Sequence, residues 1–394
     1  MVIAAKMEDF IEKSSWIRRM FEQGAYLKSV HGADKVFDFS LGNPDLEPPE
    51  KFKQGLLQTA ENPNPGLHAY MPNTGYQETR RAVADFLKQE QGADDITENE
   101  IIMTCGAAGG LNIILKAILD PEDEVITPAP YFVEYGFYAD NHGGRLVPVP
   151  AKSDFTIDVS AVASAITKKT RAVLINSPNN PTGQIYPAEN IKELAECISK
   201  KSSETGRTIY LISDEPYRKI VYDNIEVPSV FSYYEDSIIA TSYSKDLSVP
   251  GERIGFTAVN PKASGKQSLL DAMGLANRIL GFVNAPALMQ RVVAGLQGVH
   301  VDISEYDRKR RLLCDGLSEC GYSFTRPSGA FYLFPKSPVK DDVEFVRALQ
   351  EELILAVPGS GFGAAGYFRL TYCVPNQTIK DAMPGFKRAF EKFK

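Results

Sequence analysis

The stretch Ser237-Ile238-Ile239-Ala240-Thr241-Ser242-Tyr243-Ser244-Lys245 begins as an apolar run and ends in hydroxyls and an amine. Its first five residues read as a buried β-strand, so Lys245 lies just beyond the strand's carboxyl end, where ligands bind in open α/β sheets. Arg253 follows in Pro250-Gly251-Glu252-Arg253-Ile254-Gly255. Outward from this strand, short apolar runs alternate with longer amphipathic ones between about residues 75 and 260. Strands are expected at 101–105, 124–127, 145–149, 171–176, 208–213, 237–242 and 255–259, and helices at 75–89, 109–119, 158–165 and 190–200. This alternation predicts an α/β fold, a mostly parallel sheet with helices on both faces.

Beyond a charged helix around 304–317 the pattern changes. Strands are expected at 321–325, 330–335 and 367–372, with a helix at 341–352, forming a smaller α/β domain. The segment 9–30 reads as a helix with a partial apolar stripe of Phe10, Ile11, Trp16, Ile17, Met20 and Phe21. The run Gly42-Asn43-Pro44-Asp45-Leu46-Glu47-Pro48-Pro49 breaks regular structure. The large domain is therefore expected at 50–290, and the small one from 1–49 together with 291–394.

The size agrees with two domains, since 394 residues exceed what one compact core organises. A hydrophobic content of 43% and a charged content of 24% are those of a soluble globular protein. The net charge of −7 argues against a nucleic-acid footprint or an acidic-membrane binder. No run reaches the ~20 apolar residues of a membrane span, and the N-terminus lacks the basic start of a signal peptide. The five scattered cysteines show no metal spacing, which suggests reduced thiols in a cytoplasmic protein.

Four further loops at expected strand ends carry chemistry. Cys105-Gly106-Ala107-Ala108-Gly109-Gly110 leads into a helix, whose free N–H groups and positive dipole end suit a phosphate; a plain tight turn is the alternative. Asn176-Ser177-Pro178-Asn179-Asn180-Pro181-Thr182-Gly183 can present an asparagine amide in a set direction. Asp214, in Ser213-Asp214-Glu215-Pro216-Tyr217, ends an apolar strand where a carboxylate is costly unless paired, as with a protonated pyridine nitrogen. Tyr217 could donate to a phenolate oxygen on the same ring, while a helix N-cap is the bland account of Asp214. Arg369 stands inside the apolar strand Tyr367-Phe368-Arg369-Leu370-Thr371, and its planar fork suits a carboxylate, an internal salt bridge being the alternative.

Taken together, Asn-Asn-Pro-Thr-Gly, Asp-Glu-Pro-Tyr, Ser-Tyr-Ser-Lys and Gly-Glu-Arg-Ile-Gly make the chain resemble the class I/II aminotransferases of the fold-type-I pyridoxal phosphate enzymes, near the aspartate/aromatic group. The similarity extends from Gly42 to Arg369, and it includes Pro327–Tyr332 and Pro358–Gly363. The resemblance implies that Lys245 forms the internal aldimine with pyridoxal 5'-phosphate and shuttles the substrate's Cα proton. Asp214 would pair with the pyridine nitrogen, with Tyr135 near the position that supports it. Asn180 and Tyr217 would contact the ring oxygen, and Phe132 would stack on the ring. Ser242, Ser244 and Arg253 would hold the phosphate with backbone N–H groups of the Gly106-Ala107-Ala108 turn. Arg369 would bind the substrate α-carboxylate, with Asn180 and the backbone of Gly42 alongside.

By the same resemblance Tyr70 would reach the phosphate of a neighbouring subunit in a homodimer. Arg278 is a candidate for reading a distal carboxylate, although a plain surface arginine is the preferred description. The expected reaction is ping-pong transfer of an amino group between an L-amino acid, aspartate or aromatic, and a 2-oxo acid such as 2-oxoglutarate. A C–S β-lyase would use the same first proton removal. A non-catalytic amino-acid sensor would not need the whole Lys, Asp, Arg and Tyr set.

Overall fold

The computed structural model describes residues 2–61 and 65–394, and for 12–21 the backbone alone. Its centre is a seven-stranded sheet in the spatial order Ile101–Thr104, Gly255–Val259, Ser237–Ser242, Tyr210–Asp214, Thr170–Asn176, Glu124–Ala129 and Arg145–Pro150. Gly255–Val259 runs antiparallel to both neighbours, and the remaining pairings are parallel. The inner strands carry continuous apolar runs at their middles because both faces are covered, and successive side chains enter opposite cores. Ile101, Met103, Val173, Leu211 and Ile239 face one cluster, while Ile102, Leu174, Ile212 and Ile238 face the other. The two prolines of Arg145–Pro150 sit on an edge strand, where missing ladder donors are tolerated.

Gly106–Ile118 and Lys266–Ile279 pack together on the face that holds Ile102 and Ile238. Gln77–Gln91, Ala188–Thr205 and Ala287–Ala294 cover the other. A separate core gathers Phe39, Phe331, Leu333, Phe345, Phe368 and Phe386. It lies among the helices Ile303–Glu319, Asp342–Glu351 and Asn376–Glu391 and an antiparallel sheet of Val357–Pro358, Phe368–Thr371 and Tyr332–Leu333.

The strand expected at 321–325 is absent. Gly321, at φ 97°, closes the preceding helix, and the Tyr322 N–H returns to the Leu317 carbonyl at 3.1 Å. The Tyr322 ring then fills a hole among Phe345, Phe368, Phe386 and Phe390, so core packing rather than a ladder uses this residue. One backbone bond, Lys336 N–H to Ser323 O at 2.9 Å, is what joins the segment to its neighbour. The expected strand 330–335 shrinks to Tyr332–Leu333. The helix expected from 109 begins at Gly106, which places Ala107 and Ala108 in its first turn.

The N-terminal helix spans Ala5–His31. Its end packs Leu27 against Leu355 and pairs Lys28 with Asp38 at 2.7 Å. Its start sets Phe10 edge-on to Phe137 and Lys6 against Asp140. The expected stripe residues Trp16, Ile17, Met20 and Phe21 lie outside the described side chains.

Candidate active site

Parallel pairing brings the carboxyl ends of three strands side by side. Asn176 is opposite Asp214 and Asp214 opposite Ala240, two residues before the end of Ser237–Ser242. Residues distant in sequence thus share one rim, and a cleft of about 320 Å³ opens over it. Lys245 stands in this cleft, in the turn that follows its strand. Its Nζ donates to the Gly42 carbonyl at 3.0 Å and lies 5.5 Å from the Phe331 ring centre. Burial lowers its pKa to about 8, and Arg253 and Arg369 add repulsion in the same direction. A cofactor-free chain should therefore react with pyridoxal 5'-phosphate faster as pH rises, levelling off above a midpoint near 8. Growth of the visible absorption band measures this, and a rate still climbing at pH 10 would contradict it.

Asp214 ends the strand Tyr210–Asp214 and is 5% exposed. Its Oδ2 accepts from the Tyr135 hydroxyl at 2.6 Å, and its Oδ1 is buried with no partner among the described residues. Burial raises its pKa to about 7 despite the Tyr135 bond. Such an atom is expensive in an apolar setting unless a cation or N–H donor meets it. Phe132 lines the same part of the cleft and meets Tyr135 edge-on, with 5.6 Å between ring centres.

At one end of the cleft positive groups converge. The helix Gly106–Ile118 starts there without a side-chain cap, and Ala107 and Ala108 line the wall. Arg253, at φ 51°, folds its guanidinium back to the Pro250 carbonyl at 2.9 Å. Gly106 lies beneath it, and a Cβ there would stand 2.7 Å from Nη2. The hydroxyl residues Ser242 and Ser244 complete this end. A helix N-terminus, a guanidinium and two hydroxyls without a carboxylate suit a dianion such as a phosphate.

A second polar group in the cleft is built around Arg369. Its Nη1 donates to Asn180 Oδ1 at 3.0 Å and its Nη2 to the Ser40 carbonyl at 2.7 Å. Tyr332 and Phe362 sandwich the guanidinium, 4.7 and 4.8 Å from its carbon. No carboxylate among the described residues pairs with it, and its Nε lacks a partner, so an internal salt bridge does not explain it. Asn180 also donates its backbone N–H to Asn176 Oδ1 at 2.7 Å, which leaves its Nδ2 to offer a ligand. The Tyr217 hydroxyl is 3.0 Å from that of Tyr332.

Of the residues singled out in the sequence, Gly42, Ala107, Ala108, Phe132, Asn180, Asp214, Tyr217, Ser242, Ser244, Lys245, Arg253 and Arg369 line this cleft. Gly106 supports Arg253 from below and does not line it. Tyr70 is 88% exposed and away from it. Arg278 is exposed in the last turn of Lys266–Ile279 and does not reach it either. Tyr332, Tyr138 and Asn176 are lining residues that no motif had marked as contacts. A polar residue amid Phe331, Leu333 and Phe334 was the signal available for Tyr332.

These features fit pyridoxal phosphate. The orphaned Asp214 Oδ1 matches a protonated ring nitrogen, the Arg253 group matches a phosphate, and the same cleft holds a nucleophilic amine and an arginine with a free N–H. A model of the family described as aminotransferase class I and II matches residues 34–385. A probable aspartate aminotransferase of Methanocaldococcus jannaschii is 32% identical, covering 90% of this chain and 93% of its own. Aromatic-amino-acid aminotransferase 2 of Thermococcus litoralis is 30% identical, covering 96% of each. Among solved structures, an amino transferase from Eubacterium rectale superposes with a TM-score of 0.96 at 41% identity, over 100% of both chains.

Proposed function

The chain belongs to the class I and II aminotransferases, and on that premise we propose that it moves an amino group between an L-amino acid of the aspartate or aromatic kind and a 2-oxo acid such as 2-oxoglutarate. It is a pyridoxal-phosphate-dependent enzyme. The observation that supports the residue assignment is that Lys245 shares one cleft with the orphaned Asp214 carboxylate and with Arg369, which has no carboxylate partner among the described residues.

Bound pyridoxal phosphate supplies a carbonyl carbon for the amine and a ring that takes up the electron pair left at the substrate's Cα. The chain's residues do the rest. Arg369, held flat between Tyr332 and Phe362, grips the α-carboxylate and turns the Cα hydrogen toward Lys245. The Lys245 amine would take that proton and hold it for return on the far side of the substrate nitrogen, and a pKa near 8 suits both directions. Asp214 keeps a negative charge beside the ring nitrogen, with Tyr135 fixing the carboxylate's orientation. Tyr217 and the Asn180 amide donate to the ring oxygen, and Ser242, Ser244, Arg253 and the first turn of Gly106–Ile118 hold the phosphate.

Replacing Arg369 by alanine should raise KM for amino and oxo acids alike, on the order of 10²-fold, since a charge-assisted fork contributes roughly 1.5–3 kcal/mol. Steady-state kinetics with both substrates checks this, and an effect on one substrate alone would remove the shared carboxylate role. Mixing the enzyme with one amino acid at a time and reading its half-reaction spectrum identifies the preferred side chain. Pyruvate and ammonia released without an oxo acid would point to elimination instead.

On the same footing we place the domain division at 50–290 against 1–49 with 291–394. It is supported by the seven-stranded sheet lying wholly in the first part and by the separate core around Phe345 and Phe386. We also propose a cytoplasmic location and a homodimer with Tyr70 reaching a second subunit's phosphate end; the dimer is supported by the 88% exposure of Tyr70 and by the exposed apolar Leu275 and Ile279. Among the described residues no helix is long and apolar enough to cross a membrane.

A further inference from the structure

Tyr332 is 2% exposed and lies between the carboxylate end of the cleft and Tyr217. Its ring sits under the Arg369 guanidinium at 4.7 Å and meets the Tyr217 ring edge-on at 5.7 Å. Its hydroxyl is 3.0 Å from the Tyr217 hydroxyl, and either oxygen can be the donor. The backbone at Gly42 presses on the same hydroxyl, since a Cβ there would stand 1.8 Å from it. Close packing on three sides leaves the Tyr332 ring one orientation.

A hydroxyl has one proton to give. When Tyr217 gives its proton to an anionic oxygen in the cleft, its own oxygen becomes an acceptor, and the described hydroxyl within reach is Tyr332. The direction is then settled: Tyr332 donates to Tyr217, and Tyr217 donates into the cleft. Hydrogen bonds in series polarise and strengthen one another away from water. We infer that Tyr332 is a positioning residue that aims and strengthens the hydrogen bond from Tyr217 to the ring oxygen of the bound cofactor. The inference rests on the pyridoxal phosphate reading of the cleft.

The visible band of the loaded enzyme follows protonation of the nitrogen that joins cofactor and Lys245. A donor to the neighbouring ring oxygen stabilises the charge left there when that nitrogen loses its proton, and so lowers the midpoint. Tyr332→Phe keeps the ring under Arg369 and removes the hydroxyl alone. The spectral midpoint should rise by ~0.5–1 pH unit, the scale of one hydrogen bond. In a Tyr217→Phe background the same change should have no further effect, because Tyr332 acts through Tyr217. Site-specific Tyr332→3-fluorotyrosine, a stronger donor of nearly the same shape, should lower the midpoint and serves if Tyr332→Phe does not fold. An unchanged midpoint in Tyr332→Phe, an equal rise with and without Tyr217, or a rise with 3-fluorotyrosine overturns the inference. A parent enzyme with no titrating visible band would be a failure of the cofactor reading itself, so the two outcomes are distinct.

Discussion

Replacing Lys245 by alanine should abolish turnover, with a loss on the order of 10⁴-fold or more, because one side chain both carries the cofactor and moves the Cα proton. The phosphate end does not include Lys245. The variant should therefore still bind pyridoxal 5'-phosphate through Arg253, Ser242, Ser244 and the first turn of Gly106–Ile118. Folding should be unharmed, since the amine removed is a buried group whose charge is already disfavoured, with a pKa down at about 8. Borohydride treatment followed by peptide mass analysis should find the cofactor adduct on Lys245 in the parent chain and no adduct in the variant. An adduct on another lysine, or a Lys245→Ala chain with ordinary half-reaction rates, would falsify the assignment.

Asp214→Asn should lower kcat/KM by roughly 10²–10³-fold, the usual size of losing one preorganised charge partner at a reacting group. The amide keeps the shape and can still accept from the Tyr135 hydroxyl, so what is lost is the negative charge at the orphaned oxygen. Stability should move the other way in the cofactor-free chain. The folded carboxyl is raised from 3.8 to about 7 by burial, so between those values the folded state keeps a proton that the unfolded state has lost. Stability therefore falls as pH rises through that window and stays lower above it. At pH 8 cofactor-free Asp214→Asn should be more stable than the parent, by at most about 4 kcal/mol, and the difference should vanish near pH 4. Denaturant unfolding at the two pH values measures it. Equal stability at pH 8 would mean that the carboxylate is well solvated or paired, and full activity would remove its role beside the ring.

Much of this is legible in the amino-acid sequence because strand and helix periods are local. The apolar runs at 237–242 and 255–259 match observed strands residue for residue, and the other strands expected in the large sheet match within a residue or two. The failures arose where packing overrode local pattern. Residues 321–325 alternate as a strand would, yet Tyr322 is drawn into an aromatic core and Gly321 serves as a helix stop. The glycine-rich turn at 106–110 reads as a loop because glycine lowers helix propensity, yet it is the first turn of a helix. Gly110 there lies close to the sheet, where a Cβ would meet the Thr257 methyl at 2.7 Å.

Local pattern in the chain dictates the α/β class and the chemical types at the strand ends: an amine at Lys245, a carboxylate at Asp214, guanidinium groups at Arg253 and Arg369. Tertiary structure decided what each faces. Strand order sets Asn176 beside Asp214, Tyr135 takes one carboxylate oxygen and leaves the other bare, and Arg369 finds aromatic faces and an amide in place of a counter-ion. Tyr332 gained a part only when its hydroxyl met that of Tyr217, 115 residues away in the chain. Periodicity reports which face a residue turns inward, but a buried polar group's energy depends on the partner that meets it there, and that partner comes from elsewhere in the chain.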